Sequence, residues 1–87
     1  MPRISQFYGI TIWMYWNEGT HERPHFHARY GEHQASVDLD GEIVVGTLPA
    51  NAQRLVRDWT ALHVDELAAN WRRAKAGEPL EKISPLP

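Results

Sequence analysis

The sequence predicts an α+β domain, with an antiparallel sheet in its first half and helices in its second half. Between residues 9 and 46, short runs rich in β-branched and aromatic residues are separated by turn residues, which is typical of strands. From residue 49 to residue 76, apolar residues recur every three or four positions, which is the period of a helix. We therefore predict a four-stranded antiparallel meander over residues 9–47, two helices within 49–77 and an extended tail over 78–87.

The length and composition limit what the chain can be. Its 87 residues are enough for one small hydrophobic core, so we assign residues 1–87 to a single domain. The absence of cysteine excludes disulfides and thiolate zinc sites. A formal charge of −2 at pH 7 weakens the case for a nucleic-acid-binding domain, which is usually basic. Because we find no membrane span and no secretion signal at the start, we expect a cytoplasmic protein without membrane contact.

The first two predicted strands place a mixed set of side chains on one face of the sheet. The first strand covers residues 10–16, and its alternation separates an inner set from an outer set: Ile10, Ile12, Met14 and Trp16 against Thr11, Trp13 and Tyr15. A polar loop over residues 17–24 leads to the second strand, from His25 to Tyr30. That strand adds His25, His27 and Arg29 to the outer face.

The third and fourth strands form a hairpin. Residues 34–39 alternate cleanly, and the Asp40–Gly41 pair that follows is a strong hairpin turn signal. The register of the fourth strand, residues 42–46, has two solutions. A two-residue turn would point Val44 to the core, whereas a one-residue bulge would bring Ile43 and Val45 inward. We favour the bulge because it suits the hydrophobic pattern better.

The helical half is too long for one helix in so small a domain. A single helix over residues 49–76 would extend about 40 Å at 1.5 Å per residue, against an expected radius of gyration of about 12 Å. We therefore predict a break near residues 63–65, with Asp65 as the N-cap of the second helix. Gly77 and Pro79 end that helix. The tail, which carries Leu80, Ile83 and Leu86 between prolines, should lie along the domain surface.

The histidines form the one cluster of residues that could bind a metal or act in catalysis. Four of the five histidines lie within thirteen residues: His21, His25, His27 and His33. Because His25 and His27 are two apart on a strand, both rings project from one face. They could hold zinc with a third ligand from a neighbouring segment, or act as base and acid in phosphodiester cleavage. Alternatively, they are polar residues on the solvent face of the sheet.

The alternation of side chains between the two faces of the sheet places further residues next to the histidines. We predict Tyr15 and Asp38 opposite His27, and Trp13 and Ser36 opposite Arg29. If the protein is an enzyme, His25 and His27 would be the acid and base, Asp38 would orient one ring and Arg29 would hold phosphate.

The same outer face is also a candidate contact surface. Trp13, Tyr15 and Arg29 would contact a partner protein or nucleic acid, because aromatic rings next to arginine resemble a base-stacking surface. Since the helices are needed on the inner face, we expect another chain to cover Trp13, either a second copy or a dedicated partner. The alternative is that the second helix covers this face.

Several segments, taken in their order along the chain, resemble a family of small prokaryotic proteins called domain of unknown function 4160. The resemblance is carried by MPRIS (1–5), FYGI (7–10), RPHFHARYG (23–31), GTLP (46–49), WTALH (59–63), NW (70–71) and ISPL (83–86). Members often have a second proline where this chain has Arg23, a departure confined to the loop. The resemblance implies a product of a short operon that also encodes a second small protein, an arrangement similar to toxin–antitoxin pairs.

These observations lead to two functional hypotheses. The first is a small component of a two-protein, toxin–antitoxin-like module, which uses the outer face to bind a partner protein from the same operon or RNA. If catalytic, it would cleave RNA through His25 and His27 without a cofactor. The second is a non-enzymatic interaction or metal-binding module, in which the same histidines coordinate zinc or line an interface, including one between copies of the chain.

Overall fold

A computed structural model describes residues 3–16 and 23–87 and shows an antiparallel sheet followed by two helices. The predicted α+β class is confirmed, and the sheet has the order β1-β2-β3-β4-β5. His21 and the predicted loop residues 17–22 lie outside the described residues. The elements are β1 (Arg3–Phe7), β2 (Ile10–Trp13), β3 (His25–Tyr30), β4 (His33–Asp38), β5 (Ile43–Gly46), α1 (Ala50–Leu62) and α2 (Val64–Lys75).

The predicted number of four strands is wrong because β1 adds a fifth, outside the range 9–47. β1 pairs antiparallel with β2, with Ser5 opposite Ile12 and Phe7 opposite Ile10. The turn between them places Tyr8 and Gly9 at positive φ, 49° and 79°. A register irregularity between Arg3 and Ser5 interrupts the pairing. This irregularity interrupts the alternation of apolar and polar residues in a strand of only five residues. The sequence pattern was therefore too weak to predict β1.

The core lies between the inner face of the sheet and the helices. Trp59 of α1 is at its centre, with its ring centroid 5.3 Å from that of Phe7 and 5.6 Å from that of Phe26. Trp16, predicted to face inward, is instead 44% exposed because β2 already ends at Trp13. The fully buried members of the core are Ile4, Ile10, Ile12, Met14, Phe26, Ala28, Val37, Ala52, Val56, Trp59 and Leu67.

The last strand contains a bulge, with a different effect from the one predicted. Val37 pairs with Ile43 and Ser36 pairs with Val45, so Val44 is the extra residue. Ile43 packs against the core as predicted. Val45 lies opposite Ser36 and is 67% exposed, so the prediction that it faces the core is wrong.

The helical region consists of two helices, with the break at the position predicted from the small size of the domain. α1 ends at Leu62 and α2 begins at Val64, with His63 between them, so the predicted break is confirmed. His63, and not Asp65, is the N-cap of α2. Asp65 and Glu66 lie in the first turn, where their negative charges favour the helix N-terminus. None of the helices in the described ranges is long and apolar enough to cross a bilayer.

The tail over residues 78–87 belongs to no helix or strand and lies against the domain, as predicted. Ile83 is buried in the core, and Leu80 and Leu86 pack against it. The backbone N–H of Ile83 donates a 2.8 Å hydrogen bond to the carbonyl of Ile4, which joins the tail to the outer edge of β1.

Candidate functional site

The outer face is the side of the sheet that carries Trp13, His25, His27, Arg29, Ser36, Asp38 and Val45. The residues predicted for the outer face lie on this side, but the register between β2 and β3 differs from the predicted one by two residues. Trp13, and not Tyr15, lies opposite His27, and Thr11 lies opposite Arg29. A slip of two residues keeps every side chain on its face, so burial patterning could not have fixed this register.

The pairing of β3 with β4 is shifted in the same way. Ser36, and not Asp38, lies opposite His27, and Asp38 lies opposite His25. Tyr30 pairs with His33, so the connecting turn takes only two residues, whereas the sequence prediction placed His33 in the turn as well. Trp13, His27, Ser36 and Val45 consequently form one row across four strands.

Aromatic rings close much of the outer face from within the chain. Trp13 stacks on His27 with ring centroids 5.4 Å apart, and Tyr15 meets the same imidazole edge-on at 4.9 Å. Trp13 is only 4% exposed, so the expectation that it lies open until another chain covers it is wrong. Tyr15 is exposed and borders the stack.

His25 is a buried residue, which contradicts the alternative in which both histidines lie on the solvent face of the sheet. It is 7% exposed, and its ring packs 5.2 Å from the ring of Trp71 in α2 and 5.2 Å from that of His27. Its Nδ1 lies 2.8 Å from the carbonyl oxygen of Arg23. Since a carbonyl can only accept, Nδ1 carries the proton and donates it. The second helix thus covers the end of the outer face at which β3 begins.

The carboxylate of Asp38 is engaged in the turn between β4 and β5. Its Oδ1 accepts hydrogen bonds from the backbone N–H groups of Asp40 at 2.9 Å and Glu42 at 3.0 Å. Its Oδ2 lies 3.5 Å from a guanidinium nitrogen of Arg23. This arrangement is that of an aspartate that stabilises a turn, with its side chain largely buried.

A shallow groove lies along the row that starts at Trp13. His27 and Trp13 form one wall, and Val45 forms the other. Ser36 lies between these walls, with its Oγ 3.4 Å from Nδ1 of His27. The residues that line this groove are Trp13, His27, Gln34, Ala35, Ser36, Val45 and Gly46, and none is an aspartate, glutamate, lysine or arginine. Arg29 is exposed one row away, opposite Gln34.

Sequence reasoning missed two parts of this surface. The sequence prediction places Val45 in the core, although two adjacent valines beside a bulge mark a strand that cannot bury both. Trp71 belongs to the core and also packs on His25, and Nζ of Lys75 lies 5.5 Å from its ring centroid. Helical periodicity gave no signal for this contact, because it depends on how α2 crosses the sheet.

The predicted zinc alternative finds no complete ligand set in the described ranges. Among residues 3–16 and 23–87, no group of three His, Asp or Glu side chains is arranged to hold a metal ion. A zinc site on His25 and His27 would need a ligand from outside these ranges, and it stays a prediction.

Comparison with known proteins gives one finding. The family model described as a domain of unknown function, DUF4160, matches residues 9–72. The matched segment runs from the turn before β2 into α2, so it includes the outer face with its groove and both histidines. No curated protein and no solved structure matches the chain.

Proposed function

The chain belongs to the DUF4160 family, and from the geometry of its outer face we propose that it is a non-catalytic binding module for a partner protein. The groove between Trp13 and Val45 would take an apolar side chain of that partner. The observation that carries the proposal is the uncharged lining of this groove, together with the exposed valine at its rim.

Strand β5 supplies the apolar rim. Val44 and Val45 are neighbours on this edge strand, 49% and 67% exposed, and Ile43–Gly46 contains no charged residue. A single exposed apolar side chain is ordinary, but two on an uncharged edge next to a groove make a contact surface. Proteins usually protect edge strands with charge, and β5 lacks that protection apart from its bulge.

A protein fits the groove better than RNA does. Affinity for RNA comes largely from lysine and arginine contacts with phosphates, and the groove itself offers none. Arg29 stands at its margin, where it would form an ion pair with an acidic residue of a partner. The formal net charge of −2 points the same way.

The positions of the histidines favour binding over catalysis. An acid and base for RNA cleavage must both reach the substrate. His25 is almost enclosed between Trp71 and His27, and the carboxylate of Asp38 is held by the turn and Arg23. Of the predicted catalytic pair, only His27 lines the groove, where a ring stacked on Trp13 suits an apolar contact.

The test measures binding to the second small protein encoded in the same operon, the partner that the family resemblance implies. The two proteins are purified separately and titrated by calorimetry. We expect Val45→Asp to weaken binding at least tenfold because it introduces an unpaired charge into the apolar rim. Val64→Asp is the matched control: it changes an exposed valine at the start of α2 that is not among the residues lining the groove. It should leave the affinity unchanged.

Two outcomes would contradict the proposal. One is an operon partner that binds wild type and Val45→Asp equally well. The other is saturable binding of a single-stranded RNA probe, measured by fluorescence anisotropy, that His27→Ala abolishes, because this would make the outer face an RNA site.

A further inference from the structure

Residues 78–87, which we call the tail segment, are held mainly through their main chain. The indole Nε1 of Trp16 donates to the carbonyl of Glu78, and that of Trp59 donates to the carbonyl of Ser84, both at 2.9 Å. The hydroxyl of Tyr8 donates to the carbonyl of Pro87 at 2.8 Å. Side chains from the body of the domain therefore bind the tail segment along its whole length.

Asn70 makes the most specific of these contacts. Its Nδ2 donates to the carbonyl of Glu81 at 2.8 Å, and its Oδ1 accepts from the N–H of Glu81 at 2.9 Å. Nη1 of Arg73 donates to the same Oδ1 at 2.9 Å and fixes the orientation of the amide. Asn70 is fully buried, so its amide is dedicated to pairing with an extended backbone as a neighbouring strand would pair.

The apolar side chains of the tail segment recur every third residue. Leu80, Ile83 and Leu86 all pack on the core, with Ile83 nearly completely buried. Prolines occupy positions 79, 85 and 87. A period of three with frequent proline is the pattern of polyproline II, which has three residues per turn. Grooves that recognise such segments are lined by aromatic residues, as this one is by Trp16 and Trp59.

We propose that the groove beneath the tail segment is a binding site for extended, proline-containing peptides with apolar residues at positions i, i+3 and i+6. The tail segment is its intramolecular ligand. A peptide of this chemistry from another protein binds by displacing it. This site is distinct from the outer-face groove, and the proposal does not depend on the function proposed above.

The connection to α2 allows this exchange. Gly77 adopts a φ of +72° immediately after the helix, and a Cβ built there meets no atom within 4 Å. The tail segment can thus leave its groove by rotation at an uncrowded glycine. This rotation breaks the 2.8 Å hydrogen bond from the N–H of Glu78 to the carbonyl of Arg73 but leaves the bonds between residues of α2 in place. While attached, it competes at an effective concentration in the millimolar range, about that of short flexible linkers, so external peptides bind weakly to the intact chain.

The test separates the tail segment from the body after the protein has folded. A protease recognition sequence is inserted between Ala76 and Gly77, and the full chain is purified and then cut. The probe is a fluorescein-labelled peptide of residues 78–87, and its binding is followed by anisotropy. We expect the peptide to exchange into the cut protein and to bind the uncut protein at least tenfold more weakly.

Peptide variants define the recognised features. A peptide with Ile83→Asp should bind at least tenfold more weakly, because it places a charge in the buried anchor position. A peptide with Ser84→Ala is the matched control: Ser84 is exposed and contributes its carbonyl to Trp59, so affinity should be unchanged. If cutting unfolds the protein, as seen by circular dichroism, added peptide should restore the fold.

Three results would overturn the proposal. The first is a cut protein that stays folded without saturable peptide binding. The second is a cut protein that unfolds and is not restored by the peptide, which would make the tail segment a permanent part of the core. The third is equal binding of the wild-type and Ile83→Asp peptides, which would place the interaction outside this groove.

Discussion

Trp13 and His27 lie directly opposite each other on β2 and β3, and their ring planes are only 19° apart at a centroid distance of 5.4 Å. The two rings bury each other on the outer face, on the opposite side of the sheet from the core. The indole Nε1 of Trp13 is buried and has no hydrogen-bond partner among residues 3–16 and 23–87. The stack therefore gains its stability from ring burial rather than from the polar atom of the indole.

The first prediction follows from that unpartnered N–H. Trp13→Phe keeps an aromatic ring over His27 and removes the buried donor, so we expect a loss in the free energy of unfolding of no more than about 1.5 kcal/mol. Trp13→Ala removes the ring and should cost about 3–5 kcal/mol. Urea unfolding followed by circular dichroism measures both. Equal losses for the two variants would contradict the conclusion that burial of an aromatic ring stabilises this stack.

The second prediction concerns the two histidines. His25→Ala should reduce the free energy of unfolding by about 2–3 kcal/mol, because it removes a ring packed on Trp71 and a hydrogen bond to Arg23. His27→Ala should cost about 1 kcal/mol, because that ring is partly exposed in the groove. Chemical denaturation of each single variant decides the order. A larger loss for His27→Ala than for His25→Ala would contradict the deeper burial of His25.

The sequence was a good guide to which residues share a face and a poor guide to where they sit along it. Alternation assigned His25, His27 and Arg29 to the outer face correctly, because a face changes only with an odd shift in register. Both strand pairings were nevertheless displaced by two residues, which alternation cannot detect. The bulge at Val44 likewise reversed the expectation for Val45.

The burial of His25 could not be predicted locally. Its cover is Trp71, 46 positions further along the chain, and the contact exists because α2 packs across the end of the sheet where β3 begins. The apolar spacing of α2 indicates that Trp71 is buried but not against which residue. The same limit applies to β1, whose edge is completed by the tail through Ile83. Such contacts depend on tertiary packing and not on local pattern.

The third prediction tests the turn assigned to Asp38. Asp38→Ala leaves the N–H groups of Asp40 and Glu42 without their acceptor, and we expect a loss of about 2 kcal/mol in the free energy of unfolding. Asp38→Asn keeps a side-chain oxygen in that position and should cost less than about 1 kcal/mol. Thermal and urea unfolding of the two variants provide the comparison. If asparagine is as damaging as alanine, the ion pair with Arg23 contributes more than the turn does.

The fourth prediction compares two glycines that share a positive φ but differ in their surroundings. Gly46 ends β5 at φ +86°, and a Cβ there would overlap the carbonyl oxygen of Gln34 and lie 3.0 Å from Cα of Ala35. Gly31 has φ +61° and open space around it. Gly31→Ala should thus cost only the left-handed backbone conformation, about 1–2 kcal/mol. Gly46→Ala should cost at least about 2 kcal/mol more, because the backbone of β4 must move as well.

The same pair of variants connects the fold with the proposed groove. Gly46 lines the groove beside Val45, so a displaced β5 would alter the apolar rim, whereas the turn at Gly31 lies outside the lining. Unfolding in urea gives the stability difference, and titration with the operon partner at a temperature where both variants are folded gives the binding difference. We expect Gly46→Ala to weaken binding and Gly31→Ala to leave it unchanged. Similar stabilities for the two variants would mean that β4 and β5 separate without cost, and equal binding would remove Gly46 from the contact surface.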